Sequence, residues 1–224
     1  MAELPPIRFE LRAGAVTALP LAIAVGLFGV SFGVLSATSG GIGALPAIVM
    51  SVTTFAGSAQ FAAVSIVAGG GQPIAAIAAA LLLNARYLPI GVSVAPFLTG
   101  GPVRRFLHAQ LVVDESWAIA ASGEGRFDPH RLIGAGVVLW LAWVAGTIVG
   151  VLGGEALGDP AALGLDAAFP ALFLALLAPQ LNGRRPVVAA LSGAAIALAL
   201  VPFTPAGVPI IAAAAAALIG LRPR

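Results

Sequence analysis

The stretch that decides the fold is residues 14–38, GAVTALPLAIAVGLFGVSFGVLSAT. It contains 25 residues without a single charge, and a helix needs about 20 apolar residues to cross a hydrocarbon core. Glu3 and Glu10 precede it and dilute the positive charge that a cleavable signal peptide would carry. We therefore expect residues 14–38 to be retained as the first transmembrane helix.

The rest of the chain has the same apolar character. Of its 224 residues, 60% are hydrophobic and 9% are charged, whereas about a quarter of the residues in a soluble domain are charged. The further apolar runs lack the two-residue alternation and the short length of barrel strands; they are 42–68, 73–98, 107–122, 132–154, 163–181, 187–202 and 206–221. The sequence predicts an all-α integral membrane protein, a polytopic bundle of about 6–8 membrane segments, in one permease domain over residues 1–224.

Absent residue types exclude several function classes. The chain has no lysine, which excludes a Walker-type phosphate loop and a retinal Schiff base, and no cysteine, which excludes disulfides and thiolate chemistry. His108 and His130 are too few for a metal cluster. We expect no enzyme, no cofactor and no nucleic-acid partner, and energy that comes from a gradient or from another protein.

The arginines indicate the topology. Ten of the eleven lie in five loop or terminal pairs, at 8/12, 104/105, 126/131, 184/185 and 222/224. Because short positively charged loops stay cytoplasmic, the last three pairs, each two segments apart, are expected inside. The connection 155–166 has no arginine and is expected outside the cell. Both termini are then cytoplasmic.

The 104/105 pair does not fit a simple alternation of crossings. Three segments precede it, and one separates it from the 126/131 pair. The run 107–122 is also short, about 24 Å long as a helix, and polar residues interrupt the runs 42–68 and 73–98. We interpret these three runs as broken or re-entrant helices.

Three charges lie well inside apolar runs, away from the ends: Arg86, Asp114 and Glu115. Each costs at least about 2.5–3.5 kcal/mol in hydrocarbon, so such charges usually face a polar pathway. The Arg86 guanidinium fits a carboxylate, either of a substrate or of Asp114 or Glu115. The alternatives are that Arg86 forms a purely structural ion pair or reaches an interface, and that Asp114 caps a short helix or pairs with Arg105.

Residues 51–61 place polar side chains inside an apolar run. Ser51, Thr54 and Ser58 lie three to four residues apart and would share one helical face. Gly57 permits an unwound turn whose amides could bind a carboxylate, and a buried Gln60 must find hydrogen-bond partners. Alternatively, Ser and Thr bond to their own helix and Gln60 joins two helices.

The order of four elements resembles the AzlC family, the larger subunit of bacterial branched-chain amino-acid exporters. These elements are Gly29 with Gly33, then Phe-Ala-Gly-Ser-Ala-Gln-Phe at 55–61, then Asn84-x-Arg86, then Asp-Glu-Ser at 114–116. The resemblance covers about residues 13–155. It implies an inner-membrane permease that works with a small AzlD-type membrane subunit. Family members often have histidine where this chain has Tyr87, so a proton relay through that imidazole is not implied.

Two function classes follow. The first is a secondary transporter that exports Leu, Ile and Val, and the second is a non-transporting or channel-like membrane component that supports a partner. The intramembrane charges and interrupted polar helices favour the transporter. We expect proton coupling through Asp114 and Glu115. The expected substrate-binding residues are Ser51, Thr54, Gly57, Ser58, Gln60, Asn84 and Arg86.

Overall fold

The computed structural model describes residues 7–38, 42–123, 125–154, 174, 177–178, 181–205 and 207–221, and this part of the chain is helical. The helices are α1 (Ile7–Thr38), α2 (Ala44–Thr53), α3 (Gly57–Ala68), α4 (Pro73–Asn84), α5 (Tyr87–Val94), α6 (Pro102–Ala109), α7 (Asp114–Ala120), α8 (Pro129–Gly153), α9 (Arg184–Leu200), α10 (Val208–Ala213) and a 3₁₀ helix (Ala214–Leu221).

Helices α1 and α8 make the most extensive contact in the described fold. Glycines let the two backbones touch: a Cβ built on Gly134 would clash with the Leu11 carbonyl, and one on Gly150 would clash with the Val30 carbonyl. Contact positions advance in the same direction along both helices, so α1 and α8 run parallel. Small residues are the usual means of close helix packing in membranes, where the hydrophobic effect does not drive association.

An ion pair closes one end of this pair of helices. The buried Glu10 carboxylate binds the Arg131 guanidinium, and α8 begins there with Asp128, whose Oδ1 accepts from the amides of His130 and Arg131 at 2.8 and 3.1 Å. The arginine pairs 8/12 and 126/131 therefore lie at the same end of α1–α8. If both helices cross the membrane, the chain between them returns to its starting side.

Short, interrupted helices make that return. Residues 54–56 separate α2 from α3, and α4 and α5 are bent by 46° at their break. The run 107–122 is not one helix, because α6 ends at Ala109 and α7 begins at Asp114. At the first break Phe55 adopts φ 42, an uncommon conformation for a residue with a Cβ. Its buried side chain holds it in the core.

The number of long helices in the described part of the chain is smaller than the 6–8 segments expected. Helices α1 and α8 are long and apolar enough to cross a membrane, and α4 with α5 makes up to three. The expectation counted apolar runs, and several of these runs form two short helices in place of one long helix. The connection 155–166 and most of the run 163–181 lie outside the described residues.

An aromatic cluster fills the space between the parallel helices and the first break. The rings of Phe32 and Trp143 are stacked with centroids 5.6 Å apart, and the Phe61 ring meets Phe32 edge-on at 5.4 Å. A Cβ on Gly57 would lie 3.0 Å from the Trp143 ring. Gly57 is thus needed for close approach to Trp143, while the positive φ of the break belongs to Phe55. On the outer faces, Ile23 and Leu152 are 70% and 75% exposed, as suits contact with lipid.

Candidate functional site

A cavity lies where α1 and α8 face the breaks between the short helices. Its volume is about 80 Å³. The polar side of its lining consists of Gly57, Ser58, Arg86, Tyr87, Asp114 and Glu115. The apolar side consists of Val25, Phe28, Phe55, Val113, Leu139 and Trp143. We call this space the arginine cavity.

Arg86 stands at the break between α4 and α5 and is held from three sides. Its Nη2 lies 3.0 Å from Asp114 Oδ2, 3.2 Å from Ser58 Oγ and 3.4 Å from the Tyr87 hydroxyl. The guanidinium carbon also lies 5.2 Å from the centroid of the Tyr87 ring, within the range of a cation–π contact. Asp114 therefore pairs with Arg86 and not with Arg105, and Arg86 is directed into the fold.

These contacts leave part of the guanidinium available. All three use Nη2, and the buried Arg86 Nε has no hydrogen-bond partner in the described part of the chain. Trp143, which also lines the cavity, likewise has a buried Nε1 without a partner there. Because unpaired buried donors cost roughly 1–3 kcal/mol each, two of them on residues that line one cavity favour an anionic or polar ligand.

Asp114 and Glu115 occupy the first turn of α7. The helix begins at this point, with the Val113 amide donating to Ser116 Oγ at 2.9 Å. Adjacent helical residues point about 100° apart, yet both acids line the cavity, since the chain enters the helix there. The cavity thus holds one guanidinium and two carboxyl groups.

Ser51 and Gln60 organise the break between α2 and α3 from behind. Gln60 Oε1 accepts from the Ala56 amide at 3.0 Å, and its Nε2 donates to Ser51 Oγ at 3.2 Å. Ser51 Oγ is in turn 2.9 Å from Thr147 Oγ1 on α8. This chain of fully buried polar groups ties both sides of the break to the scaffold and leaves the N-terminus of α3 facing the cavity.

The structure brings some of the predicted site residues together and leaves others apart. Five line the arginine cavity: Gly57, Ser58, Arg86, Asp114 and Glu115. Four do not: Ser51, Thr54, Gln60 and Asn84. Thr54 is exposed next to the end of α2, and Asn84 is half-buried at the end of α4. Because the helix breaks after Thr53, Ser51 and Ser58 do not share the single helical face that their spacing predicted.

Several residues of the lining were not among the predicted site residues. Tyr87 is the one tyrosine of the chain and follows Arg86 directly, which is a signal that sequence reasoning could have used. Val25, Phe28 and Leu139 carry no such signal, because apolar residues in membrane helices are equally suited to packing or to lipid. Only the pairing of α1 with α8 puts them on one wall.

Comparisons with known proteins identify a family and relatives of this chain. The sequence model of the AzlC protein family matches residues 20–157. An uncharacterized membrane protein of Archaeoglobus fulgidus is 35% identical over 209 residues, which cover 92% of this chain and 91% of that protein. The branched-chain amino acid transport protein AzlC of Bacillus subtilis is 29% identical over 174 residues, which cover 76% and 68%. No solved structure matches. With its apolar helices and these relatives, the chain is a membrane protein, and it belongs to the AzlC protein family.

Proposed function

We propose that this chain is the transport subunit of a secondary transporter that exports branched-chain amino acids. The observation that supports it most is the composition of the arginine cavity, which joins a guanidinium, two carboxyl groups and an apolar wall. A branched-chain amino acid needs all three: a partner for its carboxylate, one for its ammonium group and a surface for its side chain. The Bacillus subtilis relative, named as a branched-chain amino acid transport protein, supports the same substrate class.

The carboxylate of the substrate would bind at Arg86 and at the start of α3. Arg86 Nε is an unpartnered buried donor among the described residues, and Ser58 is already within hydrogen-bond distance of the guanidinium. The first amides of a helix have no intrahelical acceptors and lie at the positive end of its dipole. Gly57 and Ser58 present that end of α3 to the cavity, as the half-helices of other transporters do for anionic substrates.

The remaining predicted residues receive indirect roles in this proposal. Ser51 and Gln60 hold the α2–α3 break open through their hydrogen bonds to Thr147 and Ala56. They are positioning residues for the α3 N-terminus. Thr54 and Asn84 would meet the substrate in a different conformation of the breaks on which they border.

Coupling would come from competition for Arg86. Asp114 holds the guanidinium at 3.0 Å, and a substrate carboxylate would have to displace it. A displaced carboxylate is free to meet the ammonium group of the substrate, and protonation of that carboxylate breaks the contact. Proton uptake from outside the cell by Asp114, or by Glu115 beside it, would therefore couple substrate release to proton entry.

Leucine counterflow in proteoliposomes, with and without a small AzlD-type subunit, tests the transport function. A carrier accumulates labelled leucine against unlabelled leucine on the other side, whereas a channel-like component or a passive support does not. Absence of counterflow in both preparations would contradict the proposal. Dependence on the second subunit would support the proposed partnership.

The coupling step is tested by leucine efflux against an imposed pH gradient. We expect Asp114→Asn and Glu115→Gln to exchange leucine but to lose the response to pH, since an amide cannot bind and release the proton. If both variants retain pH-driven efflux, the carboxyl groups are not the coupling site. A response to sodium in place of pH would reject proton coupling and leave carrier function intact.

We further propose a bacterial inner-membrane location with both termini in the cytoplasm. Support comes from the arginine pairs and from the Glu10–Arg131 contact, which places the 8/12 and 126/131 pairs at one end of the parallel helices. Reporter fusions after Arg12, Arg131 and Arg185 should all give a cytoplasmic signal. An external signal at any of the three would refute this orientation.

A further inference from the structure

A second cavity lies between α5 and α6, beside the arginine cavity. Its volume is about 390 Å³, and its wall includes Gly91, Leu98, Arg105, Phe106 and Val112. Arg105 is the one charged residue in this lining, and the rest is mostly apolar. In the described part of the chain Arg105 forms no ion pair. The second cavity therefore offers an available guanidinium next to apolar surface.

The two cavities share a wall at two places in the chain. Tyr87 lines both of them. At the start of α7, Val112 lines the second cavity and the next residue, Val113, lines the arginine cavity. The partition between the two cavities is thus about one residue thick at Tyr87 and again at Val112–Val113. Of these residues Tyr87 has the side chain best able to move, because Val112 and Val113 lie in a capped turn.

Arg86 contacts both the hydroxyl and the ring of Tyr87. Its Nη2 is 3.4 Å from the Tyr87 hydroxyl, and its guanidinium lies over the Tyr87 ring at 5.2 Å. The same Nη2 holds Asp114 at 3.0 Å. A guanidinium that turns toward a substrate carboxylate would loosen its contacts with Asp114 and with Tyr87 together. The 46° bend between α4 and α5 adjoins these residues and gives the segment room to shift.

We propose that the second cavity continues the substrate path, with Tyr87 as the partition that separates it from the arginine cavity and Arg105 as its carboxylate contact. This inference rests on the proposed transport function and adds a route and a gate to it. The ligand class is a free amino acid with an apolar side chain, bound through its carboxylate. The shared tyrosine favours it over a lipid, which would need no connection to the arginine cavity.

A blocking experiment tests the route, and the chain is well suited to it since it has no native cysteine. Ala109→Cys places a thiol in the second cavity. Leu107→Cys, two residues earlier on α6, is 59% exposed and outside the lining, and it serves as the matched control. Both are treated with N-ethylmaleimide, labelling is measured by mass spectrometry, and leucine counterflow is compared before and after. We expect counterflow to be lost on labelling residue 109 and kept on labelling residue 107. Unchanged counterflow after complete labelling of residue 109, as a lipid site would give, overturns the route.

An accessibility experiment tests the partition without using leucine. Val25→Cys places a thiol in the arginine cavity, and a charged, membrane-impermeant thiol reagent is applied from either side of the membrane. We expect reaction from one side with native Tyr87 and from both sides with Tyr87→Ala. Tyr87→Phe, which keeps the ring, should resemble the native protein more closely than Tyr87→Ala does. The partition is overturned if the Val25→Cys thiol is labelled from the same sides with native Tyr87 and with Tyr87→Ala. This includes the case in which neither protein reacts from either side. If Tyr87→Ala opens the cavity but the native protein shows no leucine counterflow, the proposed substrate fails and the partition stands.

Discussion

The parallel pair α1–α8 and the interrupted helices α2–α7 differ in how they satisfy their backbone polar groups within a membrane protein. The long helices satisfy their backbone groups internally and pack through glycines, with Glu10 and Arg131 paired at one end. The short helices stop inside the fold, and Arg86, Asp114 and Glu115 lie at their breaks and ends. The two regions therefore contribute different parts of the arginine cavity. The continuous helices supply its apolar wall, through Val25 and Leu139, and the breaks supply its polar groups.

Helix breaks inside a membrane are tolerated only where protein surrounds them and their backbone groups find partners. At the α2–α3 break Phe55 and Ala56 are buried, Gln60 accepts from the Ala56 amide, and Ser51 joins Gln60 to Thr147. The scaffold therefore does more than hold the cavity wall. It also provides the anchor, on α8, that keeps the break in place.

The largest effect is expected from a methyl group on the scaffold. Gly146→Ala puts a Cβ against the Gly26 carbonyl, and because backbone cannot yield as a side chain does, we expect a loss of about 3 kcal/mol in stability. Gly153→Ala, on the same helix with nothing within 4 Å of the added Cβ, should be neutral or stabilising by up to about 1 kcal/mol. Thermal unfolding in detergent measures both. Equal unfolding temperatures would show that the close α1–α8 contact is not what holds the scaffold together.

A smaller effect is expected from a substitution at the breaks, and it should change the affinity for leucine more than the stability of the fold. Arg86→Lys keeps the charge but lacks the planar fork, so it cannot form the bidentate contact with a substrate carboxylate. One lost charge-assisted hydrogen bond of about 1.5–3 kcal/mol weakens leucine binding about 10–100-fold. Equilibrium binding measures it, with the exposed Arg104→Lys as control. Native affinity in Arg86→Lys would remove Arg86 from the binding site.

The smallest effect concerns the apolar wall and the choice between substrates. Leucine has one methylene more than valine, and one methylene in a hydrophobic pocket changes binding by about 1–3 kcal/mol. We expect leucine to bind about tenfold more tightly than valine, at the weak end of that range. Competition of each amino acid against labelled leucine gives the ratio. A preference of several hundredfold would mean that polar groups, and not the wall, select the side chain.

The sequence by itself determined the fold class, the first long helix and the existence of interruptions. Hydropathy is a local property, so the uncharged run 14–38 and the helix over 132–154 were readable directly, and the polar residues in 42–68 and 73–98 marked real breaks. The pairing of Arg86 with an acid was one of the alternatives that the sequence left open, because a guanidinium inside an apolar run fits a carboxylate. The ends of each helix were not readable in the same way, which is why the described residues contain two or three long apolar spans where apolar length predicted 6–8 segments.

Only the tertiary structure decided which of these residues meet. Helical periodicity stops at a break, so the spacing of Ser51 and Ser58 could not reveal that one anchors α8 while the other lines the cavity. The parallel arrangement of α1 and α8 arises from glycine contacts more than a hundred residues apart in sequence, and no local pattern encodes that partnership. The place of Tyr87 between two cavities depends on the bend at α4–α5 and on the turn before α7 together. Such positions are set by long-range packing, in which each side chain is fixed by neighbours that the sequence does not place beside it.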